Sequence, residues 1–389
     1  MDARLNPYTP GAGTRPPALT GRDRQIDQFA LLLERLQVGQ SERSLLIDGL
    51  RGVGKTVLLN TFKEMGQERG WYAAKLEIRH DTELRVTIAK VAHRLLLEMS
   101  VTERIKERAT KALGVLKSFS LRTPEGFELS LGVEPSGTAG SGDLEYDLAE
   151  LLVELGRTAQ EDGSGVVLLI DEIQFLDQWE LEALIHALHE VAQENLPVAM
   201  AGCGLPSIPR LAGEAKSYAE RLFIFQSLDS LTVEAAADAL TIPAAPKDVT
   251  FEPDAIARIL ELSDRYPYFL QEYGKHAWLV ATDSVITAGD VERAHPRVLS
   301  DLDDGFFSVR YQRATTSERN YITAIASLGD GPQETSAVTA ALGFSKPAQT
   351  SKVRAELIDK GLVYAPDRGL IEFTVPHFAD YVRRTAPLD

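Results

Sequence analysis

The eight residues GLRGVGKT at positions 49–56 constrain this chain more than any other feature. They satisfy G-x-x-x-x-G-K-[ST] without mismatch, follow the apolar run SLLID and open the helical pattern TVLLNTF. Glycines at 49, 52 and 54 remove Cβ atoms from the loop, so its backbone N–H groups can turn inward on an anion. The helix that follows adds the partial positive charge of its N-terminus. The pattern predicts a phosphate cradle made of Gly49, Arg51, Gly52, Val53, Gly54, Lys55, Thr56 and Val57. Lys55 is placed to reach the β- and γ-phosphates of ATP as a catalytic cation, and the Thr56 hydroxyl to ligate Mg²⁺.

Such a loop needs a parallel sheet behind it. SLLIDG, WYAAKLEI, GVVLLIDE, PVAMAGCG and LFIFQSL read as short strands, and amphipathic stretches such as IDQFALLLERLQVG alternate with them. Strand and helix in alternation predict an α/β fold with helices covering the sheet. The run VVLLIDEIQFLD then supplies the second half of the site. Its buried strand delivers Asp171 to the crevice at the carboxyl end of the sheet as a second Mg²⁺ ligand, and Glu172 beside it as the base that orients the attacking water.

With 389 residues, of which 44% are hydrophobic, the chain is expected to form two or three domains. Residues 1–22, rich in Pro, Gly and Thr, read as an extended arm over the surface. The ATPase core spans 23–230, with a long helical pattern over 81–118 and a Gly/Ser-rich, mobile insertion at about 119–145. A helical lid covers 231–313, and a winged-helix domain covers 314–389. The net charge of -16 disfavours general adhesion to nucleic acid or anionic lipid, so any such contact is local. The single cysteine, Cys203, forms no intramolecular disulfide, and no apolar run approaches the roughly 18 residues that span a bilayer. The expectation is a cytoplasmic protein without a membrane partner.

In the closing domain, PAQTSKVRAELIDKG reads as a helix with Thr350, Val353 and Leu357 inward, and LVYAPDRGLIEFTV as a two-stranded wing. Lys346, Gln349, Ser351, Lys352 and Arg354 are then candidates to contact the bases or phosphates of double-stranded DNA. The alternative reading of the same domain is that it contacts protein.

Together these motifs resemble the AAA+ ATPases, specifically the origin-recognition/initiator-like branch, which overlaps with the STAND-type ATPases. The resemblance covers nearly the whole chain. GLRGVGKT and LLIDE look like the Walker A and Walker B motifs of that family. LTGRDRQIDQFALLL at 19–33 is similar to the segment lying close to the adenine, which implies a nucleotide contact for Arg22. YAERLFIF at 218–225 resembles the region that holds an arginine finger and nominates Arg221, acting in cis or across an oligomer. DRYPYFLQ at 264–271 resembles the lid motif whose Gly-x-Pro approaches the base, which implies Pro267. Two positions depart from the pattern. PVAMAGCGLPS offers only Cys203 and Ser207 near the place of the polar sensor 1, and Arg265 stands where the lid glycine would be, as a substitute phosphate sensor or a solvent-facing residue. The resemblance implies an ATP·Mg²⁺ switch with slow hydrolysis and a winged helix on DNA. Its alternative is a STAND-like signalling or scaffold ATPase whose winged helix binds protein.

Overall fold

The computed structural model describes residues 1–11, 13–79, 83–99, 106–121 and 133–385. Helix α1 (Asp23–Gln37) leads into β1 (Ser44–Gly49), the glycine-rich loop and α2 (Lys55–Glu68). Next come β2 (Tyr72–Glu77), α3 (Leu84–Met99), α4 (Lys106–Ser120), α5 (Leu144–Glu161) and β3 (Val166–Asp171). The core closes with α6 (Gln178–Gln193), β4 (Val198–Gly204), α7 (Ile208–Ala215), the short α8 (Ala219–Leu222) and β5 (Phe223–Leu228).

The five strands pair in the order β2-β3-β4-β1-β5, all parallel. Every residue of β1, β3 and β4 is buried, as a sheet with both faces covered requires. Period-two alternation divides the core. Leu45, Ile47 and Leu169 join one apolar layer with Phe29 and Phe62, whereas Leu46, Leu168 and Ile170 join the other with Leu152 and Leu184. The expected α/β architecture is therefore the observed one, and only β4 separates the carboxyl ends of β1 and β3.

Of the insertion expected at 119–145, residues 122–132 lie outside the described residues, as do 80–82 and 100–105 of the expected long helix. The described part of the Gly/Ser tract is tethered by polar bonds as well as by the burial of Ala139 in the core. The Ser136 N–H donates to Gly114 O at 3.0 Å, the Thr138 hydroxyl to Glu150 at 2.8 Å, and the Ser141 hydroxyl to Asp147 at 2.6 Å. Asp147 is itself fully buried against Arg85 at 2.9 Å.

Beyond β5 the chain forms α9 (Val233–Ala244), β6 (Thr250–Phe251), α10 (Pro253–Ser263), α11 (Pro267–Val280), β7 (Val285–Ile286) and α12 (Ala288–Asp301). The parallel β6–β7 pair is an addition to a region whose sequence reads as all-helical. A π-helical turn, Leu302–Phe307, and α13 (Ser308–Gln312) lead on to α14 (Thr316–Ser327). After it come β8 (Gln333–Glu334), α15 (Thr335–Ala341), α16 (Ser351–Asp359), β9 (Val363–Tyr364), β10 (Leu370–Phe373) and α17 (Phe378–Thr385). The expected hairpin β9–β10 gains β8 as a third antiparallel strand, and α17, absent from the sequence reading, buries Phe378, Tyr381 and Val382. Among the described residues no helix is long and apolar enough to cross a membrane.

The N-terminal arm does more than run over the surface. Trp278 donates its indole N–H to Asp2 O at 3.0 Å, Asn6 donates to Lys275 O at 3.0 Å, and Tyr8 is buried with its hydroxyl on Leu240 O. These bonds fasten residues 2–8 to the helices after β5 and send the following residues across the mouth of the glycine-rich loop.

Candidate functional site

The loop after β1 opens into a cavity of about 340 Å³. Arg51, Gly52, Val53, Gly54, Lys55, Thr56 and Val57 form one wall, and Arg22, Glu172 and Pro267 also line it. Gly54 caps α2 with φ 97°, in left-handed space that costs a side-chain-bearing residue energy and glycine almost none. A Cβ on Gly54 would meet nothing within 4 Å, so backbone conformation, not crowding, explains glycine there.

Lys55 is buried, and its ammonium donates to Gly49 O at 2.6 Å and Leu50 O at 2.9 Å. Burial holds it below the usual lysine range, a push that the charges of Glu172 and Asp171 oppose. The Thr56 hydroxyl donates to Asp171 at 2.9 Å, and Lys75 stands 3.4 Å from the same carboxylate. The Thr56 and Asp171 oxygens meet beside the glycine-rich loop, an all-oxygen donor pair of the kind that Mg²⁺ takes.

Glu172 adopts φ 55° and ψ 39°, a rare conformation for a residue with a side chain and one that active sites often hold. Its carboxylate is fixed by Gln174, whose amide N–H₂ donates to Glu172 and whose carbonyl accepts from Leu205 N–H at 3.1 Å. Gln174 lies directly over Gly204 at the end of β4. It fills the gap between the ends of β3 and β4 that the sequence assigned to Cys203. Cys203 is fully buried beneath the loop, its thiol pushed up by burial and 4.0 Å from Lys55 O, so it presents nothing to a phosphate.

Residues 18–200 match the family described as AAA ATPase domain, and residues 304–382 match a domain of unknown function, DUF8462. A Walker-type ATPase of Pyrococcus abyssi superimposes with a TM-score of 0.58 at 16% identity, covering 97% of this chain and 99% of that one. The fold is that of an AAA+ ATPase. Looser likenesses are the Thermotoga maritima RuvB Holliday junction branch migration motor (TM-score 0.46, 19% identity, 97% and 100% covered) and the Aeropyrum pernix ORC1 protein in complex with DNA (0.43, 16%, 95% and 94%). No curated protein matches the chain.

Within this fold, the three arginines that the sequence singles out take different places. Arg22 lines the cavity, but its guanidinium donates to Val53 O at 2.9 Å and Asp229 O at 3.1 Å, so it clamps the loop to the end of β5. Arg265 is exposed and outside the cavity, which decides its two readings in favour of the solvent-facing one. Arg221 is also exposed, on α8, and does not line the cavity.

Besides Tyr268 and Gln271 of α11, within the lid motif at 264–271, the cavity recruits residues that carry no sequence signal. Thr9, Pro10, Gly13 and Thr14 of the arm and Phe306 and Arg310 between α12 and α14 all line it. The C-terminal region touches the loop itself, where Arg51 N–H donates to Thr374 O at 3.0 Å. Tyr266 donates its hydroxyl to Arg51 O. These contacts are long-range in sequence, and only a motif shared with relatives could have flagged them.

On α16 the inward positions are as expected, with Thr350 and Leu357 buried and Val353 packed on the core. Lys346, Gln349, Ser351 and Lys352 are exposed. Arg354 is not: it is half-buried, donates to Leu370 O at 3.3 Å and lines a cleft shared with Gln174, Leu205 and Arg210 of the AAA+ core. Lys360 is consumed by Glu318 at 2.6 Å.

Proposed function

We propose that this protein binds ATP·Mg²⁺ in the cavity above the glycine-rich loop and hydrolyses it slowly, using the nucleotide state to set the position of its C-terminal domain. The observation that carries the reading is the junction of Thr56 and Asp171 beside Lys55, with Glu172 held at the cavity wall by Gln174. Backbone N–H groups of residues 52–56 would cradle the phosphates, and Lys55 would leave its loop carbonyls for the β- and γ-oxygens of the substrate. Thr56 and Asp171 would hold Mg²⁺, which when bound neutralises developing phosphate charge. Glu172 orients the attacking water and takes its proton, and Gln174 keeps that carboxylate aimed. Arg221 is outside the cavity of its own chain, which supports its action, if any, on the nucleotide of a second copy.

For the output, exposed Lys346, Gln349, Ser351 and Lys352 support double-stranded DNA as a partner of a winged-helix domain. The hydrogen bond from Arg51 to Thr374 supports the second reading, a STAND-like switch in which this domain packs in cis and releases a protein-binding surface.

Glu172→Gln tests the chemistry. ATP binding is expected to persist while turnover falls by a factor of about a hundred or more; turnover equal to wild type would remove Glu172 from the mechanism. In the same assay, a rate per chain that rises with protein concentration and is lost in Arg221→Ala would establish action across copies.

A further inference from the structure

We propose that Arg310 contacts the phosphates of the bound nucleotide, so that the region joining α12 to the C-terminal domain supplies a charge to the pocket. The proposal rests on the nucleotide reading above and adds a residue to it. Arg310 belongs to α13, inside the stretch 304–382 that matches a separate family, yet it lines the same cavity as Arg51, Lys55 and Thr56.

Its side chain is held in place without being neutralised. The guanidinium lies over the Phe306 ring at 3.9 Å from the centroid, and Phe306 in turn stacks on Tyr268 at 4.7 Å. Among the described residues it makes one hydrogen bond, to Phe306 O at 2.5 Å, and no ion pair with a carboxylate. A guanidinium carries five N–H donors, so four of them have no partner among the described residues.

Arg51, which also lines the cavity, has no ion pair among the described residues, and its Nε is buried without a partner. Burial, then repulsion from Arg51, lowers Arg310 to about 10, so it remains charged at neutral pH. Two unpaired cations in one partly dry cavity oppose folding unless an anion joins them. Planar guanidinium groups suit phosphate oxygens, to which they can donate in pairs, whereas a neutral base would leave the charge unmet. Phe306 and Arg310, four residues apart and so one helical turn from each other, both line the cavity.

The experiment measures binding of ATP, ADP and adenosine to the full chain by displacement of a fluorescent nucleotide in the presence of Mg²⁺. Arg310→Ala is expected to weaken ATP about tenfold to a hundredfold, with adenosine unchanged and a shallower dependence on ionic strength. Arg310→Lys should recover part of the loss. Arg310→Gln, which keeps an aliphatic stem over Phe306, should behave as Arg310→Ala and guards against a folding defect. Wild-type ATP affinity in both neutral variants, with affinity lost in Lys55→Met, would overturn the proposal and leave the nucleotide reading intact. Equal losses for adenosine and ATP would overturn it too, by showing a packing role alone. A wild-type chain that binds none of the three ligands would remove both.

Discussion

The glycine-rich loop and helix α16 both carry basic and polar residues picked out by sequence, and the structure treats them in opposite ways. At the loop the fold has fixed nearly every polar group: Lys55 on two carbonyls, Thr56 on Asp171, Arg22 on Val53 O, Glu172 on Gln174. Along the start of α16, Lys346, Ser351 and Lys352 stand in solvent, and the nearest ion pair, Lys352 with Glu356, is 3.9 Å long. A buried, pre-aligned group acts at low dielectric and needs little reorganisation, whereas an exposed lysine is screened and mobile. The proposed chemistry thus falls to the first region, whereas the second offers exposed, screened charges.

The largest expected effect tests the loop. Lys55→Met removes a buried cation that lacks a carboxylate within ion-pair distance. ATP affinity should fall by a factor of about a hundred or more. The ligand-free protein should melt no lower than wild type, since a buried charge is replaced by an apolar side chain of similar length. A melting profile with and without ATP measures both; an ATP-induced rise of wild-type size in the variant would break the contrast.

An intermediate effect is expected at Gln174. Gln174→Ala should lower kcat about tenfold or more while ATP affinity stays within about twofold, because the amide aims Glu172 without itself lining the cavity. Gly204→Ala offers an independent check. Its new Cβ would fall 2.0 Å from the Gln174 carbonyl oxygen and displace the side chain without altering its chemistry. Steady-state kinetics of both variants should agree, and wild-type kcat in either would show that Glu172 needs no such support.

The smallest effect concerns α16. Four basic residues lie between 346 and 360, but Arg354 faces the core cleft and Lys360 is paired with Glu318. Two exposed lysines can neutralise about two phosphates, so the log–log salt slope of duplex binding should be no steeper than about -2. Lys346→Glu with Lys352→Glu should abolish that binding and leave ATP affinity unchanged. A much steeper slope would mean that another surface carries the DNA contact.

Much of the candidate site was legible from sequence because its residues lie within two short motifs. A glycine-rich loop and a strand-terminal Asp-Glu must sit at fixed offsets from the strands that present them, so 49–56 and 171–172 announce themselves. Arg310, Gln174 and Thr374 did not, for a shared physical reason. Each reaches the site by tertiary packing: Gln174 by bridging the ends of two strands, Thr374 by a backbone bond across 323 residues of sequence, Arg310 from a helix beyond the lid that lines the same cavity. For Arg265 the sequence left two readings open, since its place beside Pro267 gave no indication of which way its side chain would point, and its exposure outside the cavity chose between them.

By itself the sequence determined the alternation of strand and helix, the parallel sheet and the phosphate loop with its acidic partners, because hydrophobic periodicity and glycine stereochemistry act locally. Only the tertiary structure decided which cations of the chain face the cavity and which are spent on carbonyls and carboxylates elsewhere. A charge takes its role from the groups that surround it, and those groups arrive from distant parts of the chain.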